Sequence, residues 1–312
     1  MNKPKVLAIV GPTASGKSAL GMALAQRLRG EIICMDSMQI YKRMDIGTAK
    51  PTREDRERIP HHLIDIVEPW EPYTVARYAD EAKQEITDIA VRGAVPVLVG
   101  GTGFYLQALT QGLYLGGVRS DPEIRGRLKA MAQDAAGRQA LHDRLKTIDP
   151  VTAEKLHPND ITRVSRALEV YELTGVPMSA QEQPVFESPF AFCLLGVTVE
   201  RSLLYRRINA RVDAMLADGL MDEVRALLSE GVPANAQAMQ GIGYKELVPV
   251  LAGTCPLENA AADIKRNTRH YAKRQLTWFR RDEGIRWLDG DEKDRETAAL
   301  STAREYLEGT EA

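Results

Sequence analysis

An α/β fold, a doubly wound parallel sheet flanked by helices and carrying an all-helical insertion, is what this 312-residue sequence predicts. Three observations predict it. Short continuous apolar runs end in glycine or small polar residues, as strands buried on both faces do. Helical patterns alternate with those runs, the order of βαβ units. From about residue 120 to residue 174 the strand signal vanishes and helical periodicity takes over. The length also exceeds the ~250 residues at which one core tends to divide. The composition, 44% hydrophobic and 27% charged, is that of a soluble globular chain. No apolar run approaches the ~20 residues of a membrane span, so no membrane partner is expected. The amino terminus enters an apolar run without a signal-peptide cleavage site, which predicts a cytoplasmic location. Cys34, Cys193 and Cys255 show no CxxC spacing and suggest neither a disulfide framework nor a zinc site.

Residues 5–10 form the first expected strand, closed by Gly11, and a helix is expected over residues 17–29. Residues 31–35 and 95–99 form the next strands, ending at Asp36-Ser37 and Gly100-Gly101-Thr102. Within the insertion, Leu141, Leu145 and Ile148 share one helical face and Val164, Leu168 and Tyr171 another; Asp149-Pro150, His157-Pro158 and Gly175 to Pro177 punctuate it. Residues 184–189 form the return linker and residues 192–199 a further strand of the core. Two helices come next, with stripes at Leu204, Ile208, Val212, Met215 and Leu216 and at Leu220, Val224, Leu227 and Leu228. The expected organisation is therefore core 1–118, insertion 119–184 and core again 185–312.

The formal net charge of −2 hides a local asymmetry. Residues 261–281 carry Lys265, Arg266, Arg269, Lys273, Arg274, Arg280 and Arg281 against Asp263 alone, whereas residues 282–312 hold ten acids and four bases. Arg266, Arg269, Lys273 and Arg280 recur at helical spacing beside Tyr271, Trp278 and Phe279, a pattern that fits a polyanion such as RNA as well as a solvated face.

Gly11-Pro12-Thr13-Ala14-Ser15-Gly16-Lys17-Ser18 matches G-x-x-x-x-G-K-[ST] between a strand and a helix, the context in which this motif counts, and marks a P-loop NTPase-like core. Backbone N–H groups of such a loop cradle a phosphate or diphosphate, Lys17 adds a mobile cation and Ser18 offers a hydroxyl to Mg²⁺. The cradle names no reaction, since nucleotide hydrolysis, phosphoryl transfer and diphosphate departure present similar oxygens. Asp36 stands at the next strand end, where a carboxylate can take a proton from a nucleophile, hold magnesium through water, or cap a helix.

Further motifs narrow the choice. Asp36-Ser37 with Gln39-Ile40-Tyr41, Met44 to Lys50, Pro60 to Asp65, Gly100-Gly101-Thr102, Asn159-Asp160 with Arg163, Ser165 and Arg166, Gln240 to Tyr244, and Thr268 to Arg280 succeed the loop in order. Together they resemble the ordered motifs of the tRNA dimethylallyltransferase (tRNA isopentenyltransferase) family, over residues 11 to about 287. The resemblance implies transfer of a dimethylallyl group from dimethylallyl diphosphate to N6 of the adenosine 3′-adjacent to the anticodon, in tRNAs that read codons beginning with U, with release of diphosphate.

It also implies roles. Asp36 matches the catalytic aspartate that relieves N6 of its proton, and Thr102 a threonine near the target nucleotide, although a helix cap also explains a threonine there. Lys17 and Arg211 are implied beside the leaving diphosphate, with Gly11 to Ser18 as its cradle; Arg207 precedes Arg211 by one turn, and Arg125 comes from the hinge of the insertion. Contacts to the tRNA anticodon stem-loop are implied for Asp36, Ser37, Met38, Gln39, Thr102, Arg125, Thr162, Arg163, Val164, Ser165, Arg166, Gln240, Gly241, Ile242, Gly243, Tyr244 and Lys245. The expected cofactor is Mg²⁺ at Ser18, the partners are tRNA and dimethylallyl diphosphate, and the expected state is a monomer. His61-His62 lacks partners at metal spacing and is expected to pack or cap. The competing readings are a small-molecule phosphotransferase that uses the same loop, and a non-catalytic RNA-binding NTPase switch.

Overall fold

Residues 3–112, 118, 120–181 and 186–309 are described by the structure, a computed structural model. The chain divides into two compact units, Met1–Gln111 with Glu187–Ala312, and Gly112–Phe186. The boundary residues 119 and 184–185 expected from sequence lie outside the described residues. Residues 186–189 of the expected linker form no helix or strand.

The first unit begins with β1 (Lys5–Val10), α1 (Lys17–Leu28), β2 (Gly30–Met35), α2 (Arg53–Arg58), β3 (His61–His62), α3 (Val75–Val91), β4 (Val95–Gly100) and α4 (Gly103–Thr110). The second unit supplies α5 (Pro122–Met131), α6 (Ala135–Ile148), α7 (Pro150–Glu154) and α8 (Ile161–Thr174). The first unit then resumes with β5 (Ala191–Thr198), α9 (Arg201–Ala217), α10 (Leu220–Ser229), α11 (Tyr244–Leu251), α12 (Leu257–Phe279), β6 (Ile285–Asp289) and α13 (Arg295–Glu308).

Six strands form one sheet in the order β3-β2-β4-β1-β5-β6, and all neighbours are parallel. β1 lies inside it with Val6 to Val10 fully buried, which is why its sequence is unbroken apolar rather than alternating. On one face Leu20, Leu24 and Ala25 of α1 and Ala299 and Ala303 of α13 cover Leu7, Ile9, Val97 and Leu195. Each buried Leu or Ile contributes roughly 2 kcal/mol of transfer free energy. Register matters more for function: Val10 pairs with Gly100, and Gly100 with Met35. The chain therefore leaves β1, β4 and β2 at one level, delivering Gly11, Gly101 and Asp36 to the same edge. Gly100 is required there, because a Cβ would lie 2.0 Å from the Met35 carbonyl oxygen.

Two strands escape the sequence reading. β3 is two residues long, and β6 is a half-exposed edge strand whose Arg286 and Asp289 break any apolar run.

In the second unit, Leu128, Leu141, Leu145, Val164 and Leu168 form a core of their own. Asp149 ends α6 and accepts from Thr152 N in the first turn of α7, while Gly175 in the left-handed conformation ends α8. The implied tRNA segment is corrected here. Val164 and Ser165 are buried, so only Thr162 and Arg163 are freely exposed among residues 162–166. Arg166 bonds Glu169 and the Val118 carbonyl, and Arg125 donates to both oxygens of Glu169. Glu169 is fully buried and also accepts from Asp121 N, so these arginines neutralise an internal carboxylate. Among the described residues no helix is long and apolar enough to cross a membrane.

Replacing Glu169 by alanine strips a buried carboxylate from two arginines and a backbone amide. The expected cost is about 3 kcal/mol, measured as a lowered denaturant midpoint with faster amide exchange in α5 and α8; unchanged exchange there would refute the keystone role.

Candidate active site

The phosphate loop adopts a conformation that its residue types dictate. Gly11 (φ +146°) and Gly16 (φ +93°) take backbone angles that side chains resist, and a Cβ on Gly11 would lie 2.3 Å from the Val197 carbonyl. Gly16 is the N-cap of α1 and no side chain caps that helix, so its first-turn N–H groups are left for an anion. Lys17 opens α1 with Nζ 3.3 Å from the Pro12 carbonyl, and Ser18 beside it is exposed.

Asp36 comes directly after β2. No helix starts there, which removes the capping alternative; instead Oδ1 accepts from Met38 N at 2.9 Å in a tight turn. Thr102 sits before α4 without capping it, and its Oγ1 accepts from Ser37 N at 3.1 Å. The Asp36-Ser37 and Gly100-Gly101-Thr102 loops are thus bonded to each other.

Two cavities meet at these residues. One, of about 520 Å³, runs over Ser18, Ile32, Cys34, Val99 and His61. The other, of about 330 Å³, is bounded by Met38, Gly241, Ile242, Thr268, Tyr271 and Arg274. Thr13, Lys17, Asp36, Thr48, Ala49 and Arg211 line both. Arg211 enters from α9 and, like Lys17, forms no ion pair with a described carboxylate at contact distance. Burial pushes the Lys17 ammonium down to about 8, the charge of Asp36 opposes that shift and the charge of Arg211 adds to it. Two cations held near each other without a carboxylate clamp, facing free helix N–H groups, make a site for a multiply charged anion.

Several implied residues fall elsewhere. Arg207 pairs with Asp291 rather than with the cavities. Tyr244 is 1% exposed and donates to Glu223 at 2.6 Å, so it cannot touch an RNA directly; it wedges against Gly47 instead. Gln240, Gly241, Ile242, Gly243 and Lys245 do line the second cavity. The Gln39 side chain bridges inward, accepting from the Cys34 thiol and donating to the Thr48 and Ala49 carbonyls, and so pins the shared rim. In the basic segment, Lys265 and Arg266 pair with Asp213 and Asp263, and Arg269 donates to Asn209. His61 bonds the Ile59 carbonyl and His62 bonds Glu31 and Glu85. Among the described residues no group of three or more His, Cys, Asp or Glu is placed to hold a metal. Ser18 presents an exposed hydroxyl to the first cavity beside the phosphate loop.

Four further residues build the site; Lys50, Tyr271 and Gln275 lie in motifs noted in the sequence but were given no place in this pocket, and Glu223 was not noted. Lys50, with a side chain 1% exposed, binds the Tyr41 carbonyl, Asp45 and Asp65 and thereby ties the 44–50 loop to the 60–65 loop. Glu223 accepts from Asp45, Ile46 and Gly47 N and fixes the same turn. Tyr271 and Gln275 reach the site from α12; burial beside Asp36 pushes the Tyr271 phenol up. Their signal was a polar pair four apart in the stripe Ile264, Thr268, Tyr271, Gln275, opposite the basic face.

An IPP transferase family model matches residues 39–282, and an isopentenyl transferase model matches residues 4–65. The chain belongs to the IPP transferase family. A tRNA dimethylallyltransferase of Geobacter metallireducens is 53% identical over 92% of this chain and 93% of that protein. One from Geobacillus thermodenitrificans is 47% identical over 98% and 96%. The crystal structure of the tRNA isopentenylpyrophosphate transferase of Bacillus halodurans superposes with a TM-score of 0.74 at 46% identity, covering 98% of this chain and 97% of that one. A eukaryotic dimethylallyltransferase acting on tRNA gives 0.83 at 31% identity, covering 98% and 80%. In this IPP transferase the parallel sheet flanked by helices is thus the family's fold, as expected.

Because the Lys17 pKa is lowered to about 8, its cation is present below that pH and lost above it. Capture of a diphosphate substrate, read as kcat/KM of the free enzyme, should fall as pH rises through about 8. The limb should vanish in Lys17→Arg, whose guanidinium does not titrate there; a profile flat from about pH 7 to about pH 9 would remove Lys17 from the diphosphate.

Proposed function

We propose that this IPP transferase is a tRNA dimethylallyltransferase that joins the allyl carbon of dimethylallyl diphosphate to N6 of the adenosine next to the anticodon. The observation that carries the reading is the shared wall of the two cavities: Lys17, Arg211 and Asp36 face both. A donor held by its diphosphate and a base arriving from the opposite mouth can meet there without crossing protein.

The chemistry asks for these side chains. Heterolysis of the allylic C–O bond leaves its electron pair on the diphosphate, so charge grows where Lys17, Arg211 and the α1 N–H groups converge. The N6 lone pair, delocalised into the adenine, forms the new C–N bond as N6 loses a proton, and Asp36 accepts it. The Asp36 turn keeps Oδ1 on Met38 N and leaves Oδ2 free of any described partner. Thr102, tied to Ser37 N, orients the amine or the leaving oxygens. Ser18, with phosphate oxygens, would hold Mg²⁺, which when bound adds charge neutralisation at the leaving group. Extruding the adenosine from its stack must be offset by new contacts, which Met38, Gln240 to Gly243 and Lys245 supply along the second cavity. Thr162 and Arg163 remain as the exposed candidates for the anticodon arm from the helical unit. A monomer acting in the cytosol belongs to the same reading. The phosphotransferase reading is not retained, because the relatives that match nearly the whole chain are named for prenyl transfer.

The test is incubation with unmodified tRNA and isotope-labelled dimethylallyl diphosphate, then nucleoside digestion and mass analysis. Label on N6 of adenosine, released diphosphate and indifference to ATP are expected; ATP-dependent phosphorylation instead would overturn the reading. Asp36→Asn should lower the rate of transfer by about 10²- to 10⁴-fold while tRNA binding persists, and an unaltered rate would exclude Asp36 as the base.

A further inference from the structure

The side-chain amide of Gln275 is inserted between the phosphate loop and the loop that carries Thr102. Its Oε1 accepts from Thr13 N at 2.9 Å and its Nε2 donates to the Gly101 carbonyl at 2.9 Å. It is 5% exposed, so both bonds lie out of water. The fit depends on glycine across from it: a Cβ on Gly101 would stand 2.1 Å from Nε2. One turn earlier on α12, Tyr271 lines the same cavity as Gln275, and Gly101 leads directly into Thr102. Beyond Thr102 the line continues through Ser37 N to the turn that holds Asp36.

Four hydrogen bonds, linked by the peptide bonds Gly101–Thr102 and Ser37–Met38, therefore connect Thr13, in the cradle for the leaving group, to Asp36, which faces the attacking nitrogen. The strands alone do not secure this. β1 and β2 are not neighbours, since β4 lies between them; the loop after β2 is bonded to the loop after β4 through Ser37 and Thr102, and Gln275 adds the link from there to the phosphate loop. A rigid amide that bonds one loop with each end fixes their separation. Gln275 also occupies Thr13 N, so the diphosphate is left to the later N–H groups of the loop and the start of α1, which fixes how deep the donor sits.

We propose that Gln275 is a positioning residue that sets the separation between the donor's reacting carbon and the proton acceptor Asp36, and does so by bridging Thr13 and Gly101. The inference rests on the prenyl-transfer reading above and adds to it a residue whose amide is spent on the two loops. Displacement at carbon needs the nucleophile in line with the departing oxygen, and a misplacement of about 1 Å costs about 100-fold in rate. Loss of the bridge acts on the chemical step, because Lys17, Arg211 and the α1 N–H groups still bind the donor.

Three variants test it under single-turnover conditions with labelled donor and tRNA: Gln275→Leu, which fills the space without either bond; Gln275→Glu, which keeps an acceptor for Thr13 N but cannot donate to Gly101 when ionised; and Gly101→Ala, which evicts the amide. Each should slow transfer by about 100-fold, with donor KM and the Kd of inorganic diphosphate changed by less than about threefold. Gly101→Ala combined with Gln275→Ala should be no slower than either single change, since both break one bridge. Equal losses in rate and in diphosphate binding would make Gln275 a structural support of the loop, and undiminished rates would overturn the proposal. If Gln275→Leu does not fold, Gln275→Glu and Gly101→Ala decide the matter by the same readouts. Absence of transfer by the wild-type enzyme would instead defeat the prenyl-transfer reading and is scored separately.

Discussion

Parallel register is the constraint from which the site arises. Because Val10, Gly100 and Met35 stand level across three adjacent strands, the residues that come next must share one short stretch of sheet edge. Strands about 4.8 Å apart bring a glycine-rich loop, a Gly-Gly-Thr turn and an aspartate within reach of one small molecule. Register brings residues 11–18, 36 and 102 to one edge, and the Gln275 bridge and the Thr102–Ser37 bond hold them there.

That placement has an electrostatic consequence. Lys17 is kept partly out of water and close to Arg211, an arrangement that weakens its own proton affinity. Two neighbouring cations are unfavourable in the empty cleft, and an anion arriving there relieves the repulsion while gaining both partners. The protein holds this arrangement ready through loops tied elsewhere: Lys50 between Asp45 and Asp65, and Glu223 under the Asp45 to Gly47 turn. Charges at those positions are satisfied internally, so the pair at the junction is left for substrate.

The legible part of this molecule was the part governed by neighbours in sequence. A phosphate loop needs glycines where φ is positive and a lysine at the helix start, all within eight residues, and β1 advertises its burial by being apolar throughout. Motif membership was less reliable about direction. Val164, Ser165 and Tyr244 belong to segments that match RNA-contacting motifs, yet Val164 and Ser165 fall with Leu168 on the inward stripe of α8, and Tyr244 turns toward Gly47 and Glu223. Gln275 and Glu223 were illegible because their partners lie 174 and 177 residues away or thereabouts in the chain. No local pattern reports such a partner, and for Gln275 the polar pair it forms with Tyr271 was the sole trace. β6 was hidden for a different reason, since an edge strand facing water on one side carries charges that break the strand pattern.

The far edge of the sheet has a consequence of another kind. β3 offers only His61 and His62 for pairing, and His62 is held between Glu31 and Glu85, with Arg92 on Glu31. A stranger's strand approaching this border would find two residues of ladder and a knot of ionic groups to dehydrate. The arrangement therefore discourages edge-to-edge self-association of a sheet whose central strands are otherwise rich in the sequences that aggregate.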